Sequence, residues 1–114
     1  MRSNFVGLHP YFKAHRGKFE QVTILLKRLV EKTATEHGCL FYEFSVKGDE
    51  FSGREGYASA DALLAHLGNV YGLLAKAMRI TDLIRLEVHG PAAELEKLKE
   101  PLGYLKPAFF TLLD

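Results

Sequence analysis

Between Arg54 and Leu67 the chain reads REGYASADALLAHL, which puts a tyrosine, Tyr57, and a histidine, His66, in one strand-to-helix passage. An imidazole titrates near pH ~6.5 when unperturbed, so His66 can take a proton from a phenolic substrate or ligate a metal. Tyr57 can hydrogen-bond a substrate oxygen or wall an aromatic ligand. Arg54 and Glu55 are strand neighbours and point to opposite faces. One of them can orient a ligand, with Arg54 the candidate, while the other pairs across strands with Arg85 or Glu87. Such an exposed pair stabilises by less than about 1 kcal/mol. Each group also has a structural use: His66 as a helix-flank histidine bonded to a backbone carbonyl, Tyr57 as an aromatic closing the sheet edge against Leu63.

Tyr42, Phe44 and Tyr71 suit an aromatic-lined pocket for a flat ligand, and they suit an ordinary core equally well. His9 and His89 fall on strands expected to be neighbours. The five histidines show neither H-x-H nor H-x-x-x-H spacing, and the single cysteine adds little, so no metal centre is expected. Cys39, at a strand start, reads as a small buried apolar residue. The chain has no G-x-G-x-x-G, P-loop, G-x-S-x-G or H-E-x-x-H, which leaves dinucleotide, kinase and hydrolase chemistry without support.

These residues depend on the elements that carry them. Residues 5–12, FVGLHPYF, are apolar at both parities: Phe5, Gly7, His9 and Tyr11 on one face, Val6, Leu8, Pro10 and Phe12 on the other. A strand covered on both sides has this pattern. Pro10 cannot donate to a ladder, so a bulge, bend or strand end is expected beside it. Gly17 opens a helix to about Glu36 whose stripe is Phe19, Val22, Leu26, Leu29, Val30 and Thr33, with Gly38 as its stop.

Residues 39–47, CLFYEFSVK, form the next strand, and Gly48-Asp49-Glu50 turns it into FSGREGY, residues 51–57, as an antiparallel hairpin. Ser59 caps a helix whose apolar set is Ala60, Leu63, Leu64, Leu67, Tyr71 and Leu74. His66 lies beside that stripe, and Gly68-Asn69 is an expected interruption before the end near Arg79. Residues 81–90, TDLIRLEVHG, return as a strand; a helix follows from Pro91 and a last apolar segment from Pro107.

Strand, helix, strand, strand, helix, strand is the ferredoxin-like βαββαβ order of an α+β fold, with a four-stranded antiparallel sheet and both helices on one face. One domain accounts for residues 1–114, with its core at 5–90 and a C-terminal extension, a helix and a strand, at 91–114. A net charge of +1 without a basic block argues against nucleic acid or anionic membrane as partners. No apolar run approaches the ~18 residues of a membrane span. The first residues show no secretory signal, and one cysteine fits a reducing compartment, so a cytoplasmic protein is expected.

Two helices cover one face of such a sheet, yet the first strand is apolar on both, and the second carries Cys39 and Phe41 on its more polar side. A second copy packed sheet against sheet resolves this, so a homodimer is expected. At roughly 25 cal/mol per Å², burying some hundreds of Å² per subunit yields several kcal/mol after association costs. The C-terminal strand, with Phe109, Phe110, Leu112 and Leu113, can extend a sheet edge, its own or its partner's.

GCLFYEFSVKGDE followed by REGYASADALLAHL resembles the antibiotic biosynthesis monooxygenase (ABM) family, small dimeric α/β-barrel proteins. The likeness rests on Gly38-Cys39-Leu40 and then Tyr42 in the second strand, Glu55 and Tyr57 in the third, and Ala65-His66-Leu67 in the helix. It covers roughly residues 5–90 and implies a cavity between sheet and helices. Some members oxidise quinol- or anthrone-like aromatics there with molecular oxygen and neither metal nor flavin; others bind and degrade haem, and many have no established activity. The resemblance therefore implies a cofactor-independent monooxygenase acting on a small phenolic or quinol-type aromatic. His66 and Tyr57 would be catalytic, with His9, Tyr42, Phe44, Arg54 and Tyr71 around the substrate; no cofactor is expected, haem being the exception. The alternative is a non-catalytic dimeric barrel that binds a small ligand or serves a stress role. Two features depart from the family pattern. The chain has no tryptophan, Tyr57 standing in the aromatic position, and Asn4 precedes the first strand, where active members often carry an asparagine.

Overall fold

The computed structural model describes residues 4–113. Along the chain lie β1 (Val6–Ala14), α1 (Phe19–Thr33), β2 (Cys39–Lys47), β3 (Glu50–Tyr57), α2 (Ala60–Arg79) and β4 (Thr81–Gly90). They are followed by α3 (Ala92–Leu102), a 3-10 turn at Gly103–Leu105, and β5 (Ala108–Thr111). The sheet order is β2-β3-β1-β4-β5. The first four strands pair antiparallel in the ferredoxin-like arrangement, and β5 joins the edge of its own sheet parallel to β4. The sheet is thus five-stranded and mixed.

The alternation in β1 decides which face meets the helices. Val6, Leu8, Phe12 and Ala14 are buried against them, with the β1–β4 register slipping between Tyr11 and Phe12, directly after Pro10. Pro10 has no N–H to give the ladder, and the bulge absorbs that defect. One core cluster joins Val6, Tyr57, Leu63, Val88, Leu95 and Leu98, so α3 shares the helical layer. A second joins Phe12, Val22, Leu26, Leu29, Phe51 and Val70. Burying each such leucine side chain is worth about 1.5–3 kcal/mol.

The opposite face carries Phe5, His9, Phe41, Arg54, His89 and Phe110. His9 and His89 meet edge to face at 5.2 Å, and Phe110 stacks on His89 at 4.7 Å. The Arg54 guanidinium lies 5.6 Å from the Phe41 ring centroid and pairs with Glu43 at 3.0 Å.

Several expectations change. Helix α2 runs unbroken through Gly68-Asn69, and Tyr71 is 73% exposed, since that part of α2 turns it away from the sheet. Helix α1 ends at Thr33, and Gly38 is not a left-handed stop. Its missing side chain admits α2 instead: a Cβ there would stand 2.6 Å from the Cβ of Ala62. Glu55 does not reach Arg85 or Glu87, because β1 lies between β3 and β4. Arg85 pairs with Glu87 on its own strand. Nor is Tyr57 at a sheet edge; β3 is an inner strand, flanked by β2 and β1, and Tyr57 is wholly buried.

Candidate active site

Helix α2 begins under double control. Ser59 Oγ accepts from the Ala62 N–H at 3.1 Å, and Glu94 on α3 accepts from the Ala60 N–H at 2.9 Å. Caps of this kind satisfy N–H groups the helix cannot and fix its start. Leu63, His66 and Val70 follow at helical spacing on the buried face. His66 therefore occupies a core position, 2% exposed, not the flank its place on the wheel suggested.

Three neighbours hold the ring. Its Nδ1 lies 2.8 Å from Glu36 Oε2 and 3.0 Å from Oε1. An ionised carboxylate only accepts, so Nδ1 carries the proton and Nε2 is left with its lone pair. Asn69, one helical turn beyond His66, donates through Nδ2 to Glu36 Oε2 at 2.9 Å. Nε2 faces Glu55 Oε1 at 3.9 Å. The rings of Tyr42 and Tyr57 flank the imidazole, with centroids at 5.0 and 5.1 Å.

Glu55 is 4% exposed and accepts the Tyr57 hydroxyl at 2.6 Å. Burial drives its carboxyl pKa up to about 8; the Tyr57 hydrogen bond opposes the rise, and the charge of Glu36 adds to it. Burial acts the other way on His66, lowering its pKa against the hydrogen bond and charge of Glu36. At neutral pH the site thus holds a carboxylic acid and a neutral imidazole, an acid and a base kept apart by a shared desolvation. Burial, then the charge of Glu55, pushes the Tyr42 and Tyr57 phenols well above their ordinary range, so both remain donors.

These groups close one end of a cavity of about 350 Å³ between sheet and helices. That lies within the range of small-molecule pockets, roughly 300–1,000 Å³. Tyr42, Phe44 and Phe12 stand near the polar end, and leucines from α1, α2, β4 and the 3-10 turn line the remainder. At the other end Thr81, Asp82 and the exposed Met78 and Leu83 form the mouth. Of the residues singled out from sequence, His66, Tyr42 and Phe44 line the cavity, and Tyr57 lies behind them, bonded to Glu55 and against His66 but outside the lining. His9 and Arg54 lie on the other face of the sheet, and Tyr71 points away from the cavity.

Among the described residues no group of three His, Cys, Asp or Glu side chains could hold a metal ion. His66 is the one imidazole lining the cavity, with Glu36 on one nitrogen and Glu55 3.9 Å from the other. No described helix is long and apolar enough to cross a membrane.

Sequence reasoning missed Glu36 and Asn69 and gave Glu55 a surface role. Glu55 was within reach: it alternates in phase with Phe51 and Tyr57 on the face of β3 that points at the helices. Glu36 carried no such signal, since it lies beyond the end of α1.

Fold and site together define a ferredoxin-like α+β protein with an apolar cavity and an acid–base pair at its closed end. Residues 5–72 match the family described as antibiotic biosynthesis monooxygenase, and the chain belongs to that family. Among solved structures, MupZ from Pseudomonas fluorescens is similar with a TM-score of 0.92 and 38% identity, covering 98% of this chain and 93% of that one. Rv0793 from Mycobacterium tuberculosis shares the fold with a TM-score of 0.68 and 24% identity, over 77% of this chain and 95% of its own. A protein described as antibiotic biosynthesis monooxygenase shares it with a TM-score of 0.64 and 22% identity, over 73% and 92%. No curated protein matches the chain significantly.

Proposed function

We propose that the protein is a cofactor-independent monooxygenase that oxidises a small, largely apolar phenol or quinol with molecular oxygen. The observation that carries this is the neutral Glu55–His66 pair at the closed end of a leucine-lined cavity. His66 Nε2 takes the phenolic proton, while Glu36 on Nδ1 stabilises the imidazolium that results. Tyr57 steadies the protonated Glu55, whose hydroxyl is a donor for the substrate oxyanion. The electron-rich anion then gives up two electrons to oxygen to form a hydroperoxide at the reacting carbon, and loss of water from that hydroperoxide takes two more, four in all. One oxygen atom enters the substrate and the other leaves as water with the two hydrogens removed from the reacting carbon. Membership of a monooxygenase family supports this reading. The cavity is closed to bulk water at this end, which protects the anion from reprotonation.

The working unit is a homodimer joined through the outer face of the sheet, where Phe5 and Phe110 are 37% and 42% exposed. Oxygen consumption with a panel of quinols and anthrones tests the activity. Wild type should consume oxygen, and His66→Ala should lose roughly 10²–10⁴-fold in kcat, the usual span of a general base. Equal rates in the two proteins would remove His66 from the mechanism, and no consumption on any substrate would make the protein a binder.

A further inference from the structure

Glu36 stands between two openings of the molecule. On its inner side it accepts the His66 Nδ1 proton, and His66 Nε2 faces Glu55 at the end of the main cavity. On its outer side it lines a second cleft, of about 320 Å³, where the connection from α1 to β2 passes α2. Thr35, Gly38, Ala65 and Asn69 are among the walls of that cleft, and it shares no lining residue with the cavity. The side chains of His66 and Glu55 are 3% and 5% exposed, and that of Glu36 is 12%. The imidazole is the partition, with a carboxyl group on either side.

We propose that Glu36 is the proton port of the site. It passes protons between His66 and water in the cleft, so the acid–base pair can discharge and reload while a substrate fills the cavity. The inference rests on the acid–base reading of the site but not on which molecule reacts. When Nε2 takes a proton from the bound molecule, the Nδ1–H bond breaks and that proton passes to Glu36 and on to cleft water. The imidazolium formed in the transfer is thereby discharged, leaving a neutral ring with its tautomers exchanged. When Nε2 later gives its proton to the product oxyanion, Glu36 returns one from water to Nδ1 and restores the starting tautomer. Over the cycle no proton is gained or lost and no electron moves through the ring. Asn69 is a positioning residue here: it fixes the oxygen of Glu36 that receives the proton. The aliphatic walls of a filled cavity supply no second path.

Exchange of the His66 ring proton with water, followed by NMR in protein carrying ¹⁵N-labelled histidine, tests the port without any substrate. Ala65 is exposed on α2, so Ala65→Phe covers the cleft without entering the core. Glu36→Gln keeps the shape and removes the carrier, and serves as the second variant where the first does not fold. Ala77→Leu narrows the main cavity instead. Exchange should slow roughly tenfold or more in the first two and stay within about twofold of wild type in the third. Any pattern in which closing the cleft slows exchange no more than narrowing the cavity overturns the port. A protein that exchanges as expected yet consumes no oxygen would sink the oxygenase and leave the port standing.

Discussion

The Tyr57 hydroxyl donates to Glu55 Oε1 at 2.6 Å in a place where neither group meets water. The two residues alternate on one face of β3, so the pairing is built into the strand. A phenol held well above its usual range keeps its proton and so remains a donor, and Glu55 keeps this partner whether charged or neutral. The bond favours the charged form, burial disfavours it, and burial wins.

Glu55 consequently sets how stability depends on pH. Its folded pKa, about 8, lies above the ordinary carboxylate value of 4.5, so between those values the folded protein holds a proton the unfolded chain has released. Stability is full below the lower value and falls as pH rises through the upper one, by up to about 1.4 kcal/mol per pH unit. His66 acts oppositely: its lowered pKa means stability is lost as pH falls below its ordinary range. Glu55→Gln removes only the alkaline loss. Urea unfolding at pH 5, 7 and 9 should show the variant gaining on wild type by on the order of 2 kcal/mol at pH 9 and not at pH 5. Parallel curves for the two proteins would refute it.

Tyr57→Phe isolates the hydrogen bond. The ring still fills its place beside Leu63, so the core is retained, but one buried oxygen of Glu55 loses its donor. A loss of about 1–3 kcal/mol is expected. Because the bond lowers the Glu55 pKa, its removal should move the value above 8, which carboxyl ¹³C titration reads directly.

The βαββαβ order was legible because its elements rest on local periods, two for strands and 3.6 for helices, whereas β1, apolar at both parities, did not show which of its faces meets the helices. His66 was misplaced by the same rule. Periodicity ranks a histidine as polar and assigns it to the flank, whereas here Tyr42, Tyr57 and Glu36 make a polar chamber inside the core. Glu36 and His66 are thirty positions apart in the chain. Their meeting depends on how the α1–β2 connection folds back on α2, which no window of sequence contains. His9 and Arg54 were assigned to the substrate through their chemistry, and strand parity placed them on the other face of the sheet.

That other face carries the expectation of a dimer. Phe41, partly buried under Phe5 and Arg54, and Phe110, stacked on His89, are aromatic surface that water covers in a single copy. Sedimentation should give twice the mass of the chain at micromolar concentration. Phe110→Lys, which buries a charge in the proposed contact, should shift the equilibrium to monomers by tenfold or more in Kd, about 1.4 kcal/mol. A wild type that sediments as a monomer would dismiss the contact.

Gly38→Ala ties the fold to the chemistry. The added methyl would stand 2.6 Å from the Cβ of Ala62, and neither atom can swing aside, because one is fixed to the α1–β2 connection and the other to the capped first turn of α2. Overpacking of this kind costs about 1–3 kcal/mol, relieved only by moving backbone. The backbone that moves carries Glu36, so Nδ1 of His66 should lose its fixed acceptor and the ring its single tautomer. The ¹⁵N shifts of His66 in the variant should report a mixture of tautomers where wild type shows Nδ1–H alone. A variant that is destabilised but keeps the wild-type shifts would mean that Glu36 is held from elsewhere, with Asn69 as the remaining candidate.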